Sequence, residues 1–202
     1  MQKIVLASSN HGKLREIQAV LAPFSIELIT QNQFSVEDAE ETGLTFVENA
    51  IIKARHAAQF TGLPALADDS GLCVDALDGA PGIYSARFSG EQATDASNNQ
   101  KLLAELKASE NKSRVAQFHC VLVLMRHAKD PTPLIAHGTW VGEILDVARG
   151  TNGFGYDPLF YCTALQAASA ELSPTVKNRV SHRAQALVKL VEKMRATHDF
   201  AL

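Results

Sequence analysis

Two adjacent carboxylates, Asp68 and Asp69, are the residues of this sequence best suited to chemistry. They follow the apolar run 63–67, and Ser70 and Gly71 come directly after them. Carboxylates beside a buried strand are costly unless a cation or a reaction uses them. Asp, Ser and Gly are also ordinary turn formers, so a plain strand–turn–strand is the competing interpretation. In either case we expect a turn here, with Gly71 allowing a sharp bend.

A second group of acidic residues occupies positions 37–41, just before an expected helix whose start is marked by a capping box at 45–48. On that helix Asn49, Lys53 and His56 recur at helical spacing and form a polar stripe beside an apolar one. The stripe presents an amide, an ammonium and an imidazole. A solvated surface stripe under a solvated acidic loop is the simpler alternative.

The loop at residues 8–13 connects an expected apolar strand to an expected amphipathic helix. Ligands of open α/β sheets bind at such a position, and free N–H groups at a helix start favour anions. Ser8 and Asn10 can donate to phosphate oxygens, and Lys13 adds a positive charge. The alternative is that Ser9 or Asn10 merely caps the helix.

Two further stretches could contact a ligand. Phe154 stands between two glycines, which would let a flat base stack on its ring, a contact worth about 1–3 kcal/mol. An aromatic side chain that anchors a glycine-rich loop is the alternative. His182 and Arg183 begin an expected terminal helix, where positive charge opposes the helix dipole. They suggest an anionic or hydrogen-bonding ligand, and a solvated basic turn is the alternative.

Strands are predicted at 4–7, 26–29, 115–125 and 134–141, the last two as an antiparallel hairpin, with a helix over 94–107. The hairpin favours a mixed sheet over a purely parallel one.

Composition narrows the class of protein. The chain has 202 residues, 46% of them hydrophobic, and a net charge of −3. The size fits one domain or two joined lobes, and the charge gives no basic footprint for nucleic acid. The three cysteines are far apart and form no CxxC pair, so we expect reduced thiols in a cytoplasmic protein. No apolar segment is long enough to predict a membrane span.

Six motifs occur in one order along the chain. They are Ser8-x-Asn10-x-x-Lys13, Glu40-Glu41-Thr42-Gly43-x-Thr45-Phe46-x-Glu48-Asn49-Ala50, Asp68-Asp69-Ser70-Gly71, Gly79-Ala80-Pro81-Gly82, Gly153-Phe154-Gly155-Tyr156-Asp157-Pro158 and Ser181-His182-Arg183. Together they resemble the inosine triphosphate pyrophosphatase family, in particular its bacterial members that act on dITP and XTP. The resemblance covers residues 3–190. Ser9 and Asn152 stand where relatives often have Gly.

The resemblance implies an α/β fold with two lobes around a long mixed β-sheet flanked by helices, and an active-site cleft between the lobes. It implies one nucleoside triphosphate pyrophosphatase domain over residues 1–202. The implied activity is Mg²⁺-dependent hydrolysis of ITP, dITP and XTP to the monophosphate and pyrophosphate. A cytoplasmic homodimer that cleanses the nucleotide pool, with no nucleic-acid or membrane partner, completes the expectation.

The resemblance also implies residue roles. Asp69 would be the general base and a Mg²⁺ ligand, and Glu40 the second metal ligand, with Glu41 and Asp68 as near candidates. Lys53 would neutralise the triphosphate. The other substrate contacts would be Ser8, Ser9, Asn10, His11, Gly12, Lys13, Ser70, Phe154, Gly155, Tyr156, Asp157, Lys177, His182 and Arg183.

Two other functions compete with this one. A Maf-type nucleotide pyrophosphatase would be expected to carry Arg where this chain has Lys13. A non-catalytic nucleotide-binding or nucleic-acid-binding module would not need paired carboxylates, and the net charge of −3 argues against it.

Overall fold

The computed structural model describes residues 2–24 and 26–197. Within them the chain forms strands and α-helices that alternate in its first half. In chain order they are β1 (Gln2–Leu6), α1 (His11–Leu21), β2 (Ile26–Thr30), α2 (Phe46–Thr61), β3 (Ala65–Val74), α3 (Asp95–Ala108), β4 (Val115–Met125), β5 (Leu134–Ile144), β6 (Phe160–Cys162), β7 (Ala167–Ala168), α4 (Pro174–Val180) and α5 (His182–Thr197).

The strands of the described residues form one sheet in the order β2-β1-β3-β4-β5-β6-β7. Strand β1 pairs in parallel with β2 and with β3. At the other end, β6 pairs antiparallel with both β5 and β7. The prediction of an α/β fold with a mixed sheet and flanking helices is therefore confirmed. None of the described helices is both long and apolar enough to cross a membrane.

The chain divides into two compact units. The first unit contains residues 1–69, 120–138 and 182–202, and the second unit contains residues 70–119 and 139–181. Strands β3, β4 and β5 contribute residues to both. The assignment of all residues to one domain and the expected cleft between lobes stay predictions.

The first unit has a hydrophobic cluster on each face of its strands. Because successive side chains of a strand point to opposite faces, Leu66 of β3 packs in the cluster formed with α1 and α5. Its neighbours Ala65 and Ala67 pack in the cluster formed with α2. Helix α2 buries mainly alanines on this side, which lets its backbone approach the sheet closely. The alternation along β3 thus assigns each side chain to one helix layer.

The second unit is built around aromatic packing. The ring of Phe160 lies 4.6 Å from that of Phe118 and 5.0 Å from that of Trp140, measured between centroids. Gly142 makes room for this cluster, since a Cβ atom there would lie 2.4 Å from the carbonyl oxygen of Tyr161 and 2.7 Å from the Phe160 ring. Tilted aromatic pairs of this kind stabilise a core by about 0.5–1.5 kcal/mol beyond the area they bury.

The turn predicted at Asp68-Asp69-Ser70-Gly71 is wrong, because β3 continues through it from Ala65 to Val74. The turn-forming tendency of these residues is overridden by cations that neutralise both carboxylates within the strand. Strand β4 has the predicted bounds 115–125, and the other predicted elements are present with one or both ends shifted. Thr45 caps α2 as expected, its hydroxyl accepting from the backbone N–H of Glu48. The short elements α4, β6 and β7 had no counterpart in the sequence prediction.

Asp130 holds the segment that joins β4 to β5. Its buried carboxylate accepts hydrogen bonds from the backbone N–H groups of Arg126 and Thr132, both at 3.0 Å. The guanidinium of Arg126 donates to it at 2.9 and 2.6 Å. These hydrogen bonds, led by those from the Arg126 side chain, hold the pKa of Asp130 well below its usual range, although burial opposes them.

We predict that Asp130→Ala lowers the free energy of unfolding by about 2–3 kcal/mol near pH 7, because two backbone N–H groups lose their acceptor. The folded pKa of Asp130 lies below the unfolded value of about 4. The stabilisation is therefore complete above that value and decreases as the pH falls through it. Urea unfolding near pH 7 and near pH 3.5 measures this, and the gap between wild type and variant should shrink by about 0.5–1 kcal/mol at the lower pH.

The matched control is Asp146→Ala, which removes an ion pair with Arg114 from a carboxylate that is 91% exposed. Its effect should stay within about 0.5 kcal/mol. Equal losses in the two variants, or a gap that is unchanged near pH 3.5, would contradict the role given to Asp130.

Candidate active site

The two adjacent carboxylates of β3 point to opposite faces of the sheet and have different partners. Asp68 lies on the face of Leu66, with α1 and α5, while Asp69 lies on the face of Ala67, with α2. Both are buried, at 1% and 6% exposure. Because they are consecutive residues of a strand, the two carboxylates lie on opposite faces and have separate chemistry.

Asp68 belongs to a network of ion pairs that connects α1, β3 and α5. One of its oxygens accepts from Arg183 Nε at 3.0 Å and from the thiol of Cys120 at 3.0 Å, and the other pairs with the ammonium of Lys13. Arg183 also pairs with Glu16. Lys13 and Glu16 lie about one turn apart on α1. Helix α1 therefore supplies one positively and one negatively charged group of this network.

These partners keep Asp68 ionised. Burial by itself raises the pKa of a carboxyl, but the charges of Arg183 and Lys13 outweigh it and hold the pKa of Asp68 well below its usual range. The pKa of Arg183 is raised in turn, because the attraction of Asp68 outweighs the cost of burying the guanidinium. A carboxylate that is ionised and engaged on both oxygens fixes structure and is poorly placed to accept a proton.

Asp69 is engaged on one oxygen only. Lys53 Nζ lies 2.7 Å from Asp69 Oδ1 and 2.7 Å from Glu41 Oε1. Asp69 Oδ2 is buried and has no hydrogen-bond partner among the described residues. Burial raises the pKa of Asp69, with Lys53 opposing only part of the effect. The pKa of Lys53 is also raised, because two carboxylates outweigh the burial of its ammonium. A buried carboxyl with a raised pKa and an open oxygen suits a general base.

The polar stripe of α2 holds the acidic segment in place. Asn49 Oδ1 accepts from the backbone N–H of Gly43 at 2.8 Å, Lys53 pairs with Glu41, and His56 Nε2 lies 3.0 Å from the Glu37 carbonyl oxygen. Asn49 is fully buried. The stripe is therefore a binding surface for residues 37–43, and the interpretation as a solvated stripe is wrong for Asn49 and Lys53.

A divalent ion fits these carboxylates when a phosphate completes its coordination. The described residues contain no group of three acidic, His or Cys side chains that could hold a metal by themselves. Mg²⁺ usually takes one or two carboxylates and completes its shell with water and phosphate oxygens. Asp69 Oδ2 offers an open oxygen of the right kind. Glu41 contacts Lys53 in this arrangement, whereas Glu40 is exposed and its assignment as a ligand stays a prediction.

The loop at 8–13 starts α1 through a side-chain cap. Asn10 Oδ1 accepts from the backbone N–H groups of Gly12 at 2.8 Å and Lys13 at 3.1 Å, so the capping interpretation is confirmed for Asn10. Ser8 Oγ accepts from the Asn10 backbone at 3.2 Å, and Ser9 Oγ donates to Asp38 at 3.0 Å. The phosphate contacts predicted for this loop stay predictions. The side chain of His11 lies outside the described residues.

In the second unit, Asp157 organises the loop that carries Phe154. Its buried carboxylate accepts from Lys177 Nζ at 2.6 Å, from Ser169 Oγ at 2.7 Å and from the backbone N–H of Phe154 at 2.8 Å. Lys177 Nζ also lies 5.2 Å from the centroid of the Phe154 ring. The aromatic ring and the ammonium are thus held together by one carboxylate.

Two neighbours of Phe154 serve this loop structurally. Gly153 has φ of +80°, and a Cβ atom there would lie 1.9 Å from Asp157 Oδ2, so only glycine fits. Tyr156 is buried and donates its hydroxyl to the Ser85 carbonyl oxygen at 2.8 Å, and burial raises its pKa. The substrate contacts predicted for Tyr156 and Asp157 stay predictions, as does that of the half-buried Ser70.

His182 and Arg183 are buried at the start of α5 in the first unit. A Cβ atom at Gly138 would lie 2.0 Å from the His182 carbonyl oxygen, so β5 approaches this helix closely. The positive charge of Arg183, which suggested an anionic ligand, is paired with two carboxylates of the protein itself, Asp68 and Glu16. A purine contact by either residue stays a prediction.

Sequence reasoning missed several partners of these groups. Glu16, Cys120 and Ser169 bind Arg183, Asp68 and Asp157, and no local pattern singles out Cys120 or Ser169. The spacing of Lys13 and Glu16, three residues apart on one face of α1, is the local signal by which Glu16 could have been found.

The fold and the carboxylate–lysine site define an α/β protein suited to anionic, phosphate-bearing ligands. The Ham1 family model matches residues 4–193, and the chain belongs to that family. It is 60% identical over 195 residues to a dITP/XTP pyrophosphatase of Yersinia pseudotuberculosis, covering 96% of this chain and 99% of the relative. A relative of the same name from Shigella flexneri is 57% identical with the same coverage.

Among solved structures, a HAM1 protein from Coxiella burnetii superposes with a TM-score of 0.92 at 56% identity, covering 97% of this chain and 100% of that one. The Ham1 protein of Staphylococcus aureus superposes with a TM-score of 0.84 at 40% identity, covering 98% and 100%. The family resemblance inferred from the motifs is confirmed.

We predict a large effect on stability for one of the two neighbouring carboxylates and a small effect for the other. Asp68→Asn should lower the free energy of unfolding by about 2–4 kcal/mol, because it leaves the buried Arg183 and the half-buried Lys13 with a single carboxylate, Glu16. Asp69→Asn should change it by less than about 1 kcal/mol, because burial already disfavours the charged form of Asp69. Urea unfolding of both variants near pH 7 measures the contrast, and similar losses in the two would show that the partners described here do not distinguish them.

Proposed function

We propose that this chain hydrolyses the non-standard purine nucleoside triphosphates ITP, dITP and XTP to the monophosphate and pyrophosphate. The observation that carries the proposal is the buried Oδ2 of Asp69, which has no hydrogen-bond partner among the described residues, while Lys53 binds the other oxygen and Glu41. The similarity to relatives named dITP/XTP pyrophosphatases gives the substrate class. A Maf-type enzyme and a non-catalytic module are less well supported, since neither is the class of those relatives.

The triphosphate would be bound by lysines of the first unit. Lys53 is held 2.7 Å from two carboxylates and is one of the cations proposed to meet the phosphate oxygens. Lys13 is proposed as the other, because its position at the start of α1 adds the partial positive charge of a helix N-terminus. Its pairing with Asp68 fixes where its ammonium lies. Ser8, Ser9, Asn10 and Gly12 would supply further hydrogen bonds.

Mg²⁺ would be held by Asp69 and by a glutamate of the acidic segment, proposed as Glu40 with Glu41 as the close alternative. When bound, it would neutralise phosphate charge and polarise the bond that breaks. In its absence Lys53 keeps Glu41 and Asp69 together, which offsets the repulsion between two carboxylates.

Asp69 would activate the water. Its open oxygen accepts a proton from the water as the water oxygen bonds to phosphorus, and the bond to pyrophosphate breaks. Lys53, bonded to the other oxygen, fixes the orientation of the carboxyl group.

The purine would be bound by the loop of the second unit, with the base stacked on Phe154. Inosine and xanthosine carry a 6-keto acceptor, whereas adenosine carries a 6-amino donor. Lys177, beside the Phe154 ring, is the best-supported donor to the keto group, with His182 and Arg183 as further candidates. A donor facing the adenine amino group would be left without an acceptor, at a cost of about 1–3 kcal/mol.

Two parts of the proposal rest on the family resemblance. We propose that the enzyme acts as a homodimer, and that it works in the cytoplasm, where the nucleotide pool that it would cleanse is located.

The test is a nucleotide panel with product identification. With Mg²⁺, wild-type protein should release pyrophosphate and monophosphate from ITP, dITP and XTP much faster than from ATP. Asp69→Asn should lower kcat by about 10²–10⁴-fold while nucleotide binding persists. Asp146→Asn, at an exposed position of the second unit, serves as the control and should leave turnover unchanged. Inorganic phosphate as the product, or near-normal turnover by Asp69→Asn, would refute the proposal.

A further inference from the structure

Two side chains of helix α3 form hydrogen bonds with the backbone of Gly155, the residue that follows Phe154. The N–H of Gly155 donates to Asp95 Oδ2 at 2.7 Å, and its carbonyl oxygen accepts from Asn99 Nδ2 at 2.9 Å. Asp95 and Asn99 are four residues apart on α3, so one helix face presents both groups. We call this pair the Gly155 clamp. Gly155 has φ of +61°, a conformation that side chains disfavour.

The clamp completes the fixation of Phe154. The backbone N–H of Phe154 is already bound by Asp157, which also holds Lys177 beside the ring. The N–H of Gly155, bound by Asp95, belongs to the peptide unit that follows Phe154, so the peptide units on both sides of Phe154 are held. Asn99 holds the next peptide unit, through the carbonyl oxygen of Gly155. The direction of a half-buried ring then follows from its backbone and its preferred rotamers.

One feature of the clamp does not serve stability. Asn99 Oδ1 is buried and has no hydrogen-bond partner among the described residues. A buried oxygen without a partner is destabilising, and an apolar side chain of similar size would avoid that cost. The hydrogen bond from Asn99 Nδ2 to Gly155 is therefore what the amide contributes here.

We propose that Asp95 and Asn99 are positioning residues for the purine, which hold Phe154 in the orientation that stacks on the base. The inference rests on the proposed function, because that function assigns the base to Phe154. Neither residue has to touch the nucleotide. Since Asp95 is exposed and Asn99 only partly buried, each bond is a moderate constraint.

A purely structural role must be separated from this one. Asp95 lies in the first turn of α3, where a negative charge stabilises any helix. Ser97 lies in the same turn and completes the capping box with Thr94, without contacting Gly155. Ser97→Ala is therefore the matched control, because it weakens the same helix start and leaves the clamp in place.

The experiment compares two ligands by calorimetry in wild type and variants. IMP carries the base, and inorganic tripolyphosphate carries only phosphates. Asp95→Ala and Asn99→Leu should each weaken IMP binding by about threefold to tenfold, and the double variant by more. Tripolyphosphate binding should stay unchanged. Asp95→Asn keeps an oxygen acceptor and should recover most of the IMP affinity. Asn99→Leu should not lower the urea midpoint, since it removes the unpartnered oxygen.

The proposal is overturned if IMP affinity is unchanged in the double variant, if both ligands weaken together, or if Ser97→Ala weakens IMP as much as Asp95→Ala. These readouts do not need turnover. A wild type that binds IMP but releases no pyrophosphate from ITP would refute the proposed function, and the response of the variants would still decide the clamp.

Discussion

The neutralisation of Asp68 by Arg183 and Lys13 is the interaction on which the rest of the structure depends. Two neighbouring carboxylates inside a buried strand would repel each other and lose their hydration. With Asp68 bound on both oxygens by cations and a thiol, β3 continues through a sequence that favours a turn. The same pairing joins α1 and α5 to the sheet, since Lys13 belongs to one helix and Arg183 to the other.

The alternation of side chains along β3 separates the role proposed for Asp69 from the structural role of Asp68. Asp69 points to the other face, where Lys53 binds one of its oxygens and leaves the second without a partner among the described residues. Asp68 is therefore fixed and ionised, whereas Asp69 has a raised pKa and one oxygen without a partner among the described residues. The acidic segment at 37–43 reaches the same region because α2 binds it through Asn49, Lys53 and His56.

Much of this arrangement could be predicted from local pattern. The predicted hairpin of residues 115–125 and 134–141 favoured the mixed sheet, and the order of the six motifs was enough for the family. The continuity of β3 could not be predicted, because Arg183 lies 115 residues from Asp68 in sequence. The clamp on Gly155 could not be predicted for the same reason, since Asp95 is 60 residues away from Gly155. An aspartate in the first turn of a helix is also common and does not indicate such a contact. Long-range ion pairs and side-chain bonds to backbone leave no periodic signal.

Asp68 supports the fold, whereas Asp69 is proposed to hold the metal and to act in the reaction. The most direct test is the affinity for Mn²⁺, followed by electron paramagnetic resonance, of the complex with a non-hydrolysable ITP analogue. We expect Asp69→Asn to weaken Mn²⁺ binding by about tenfold or more, because a ligand oxygen is lost. Folded Asp68→Asn protein should stay within about threefold of wild type. Equal weakening in both variants, or none in Asp69→Asn, would show that the two carboxylates do not divide these roles.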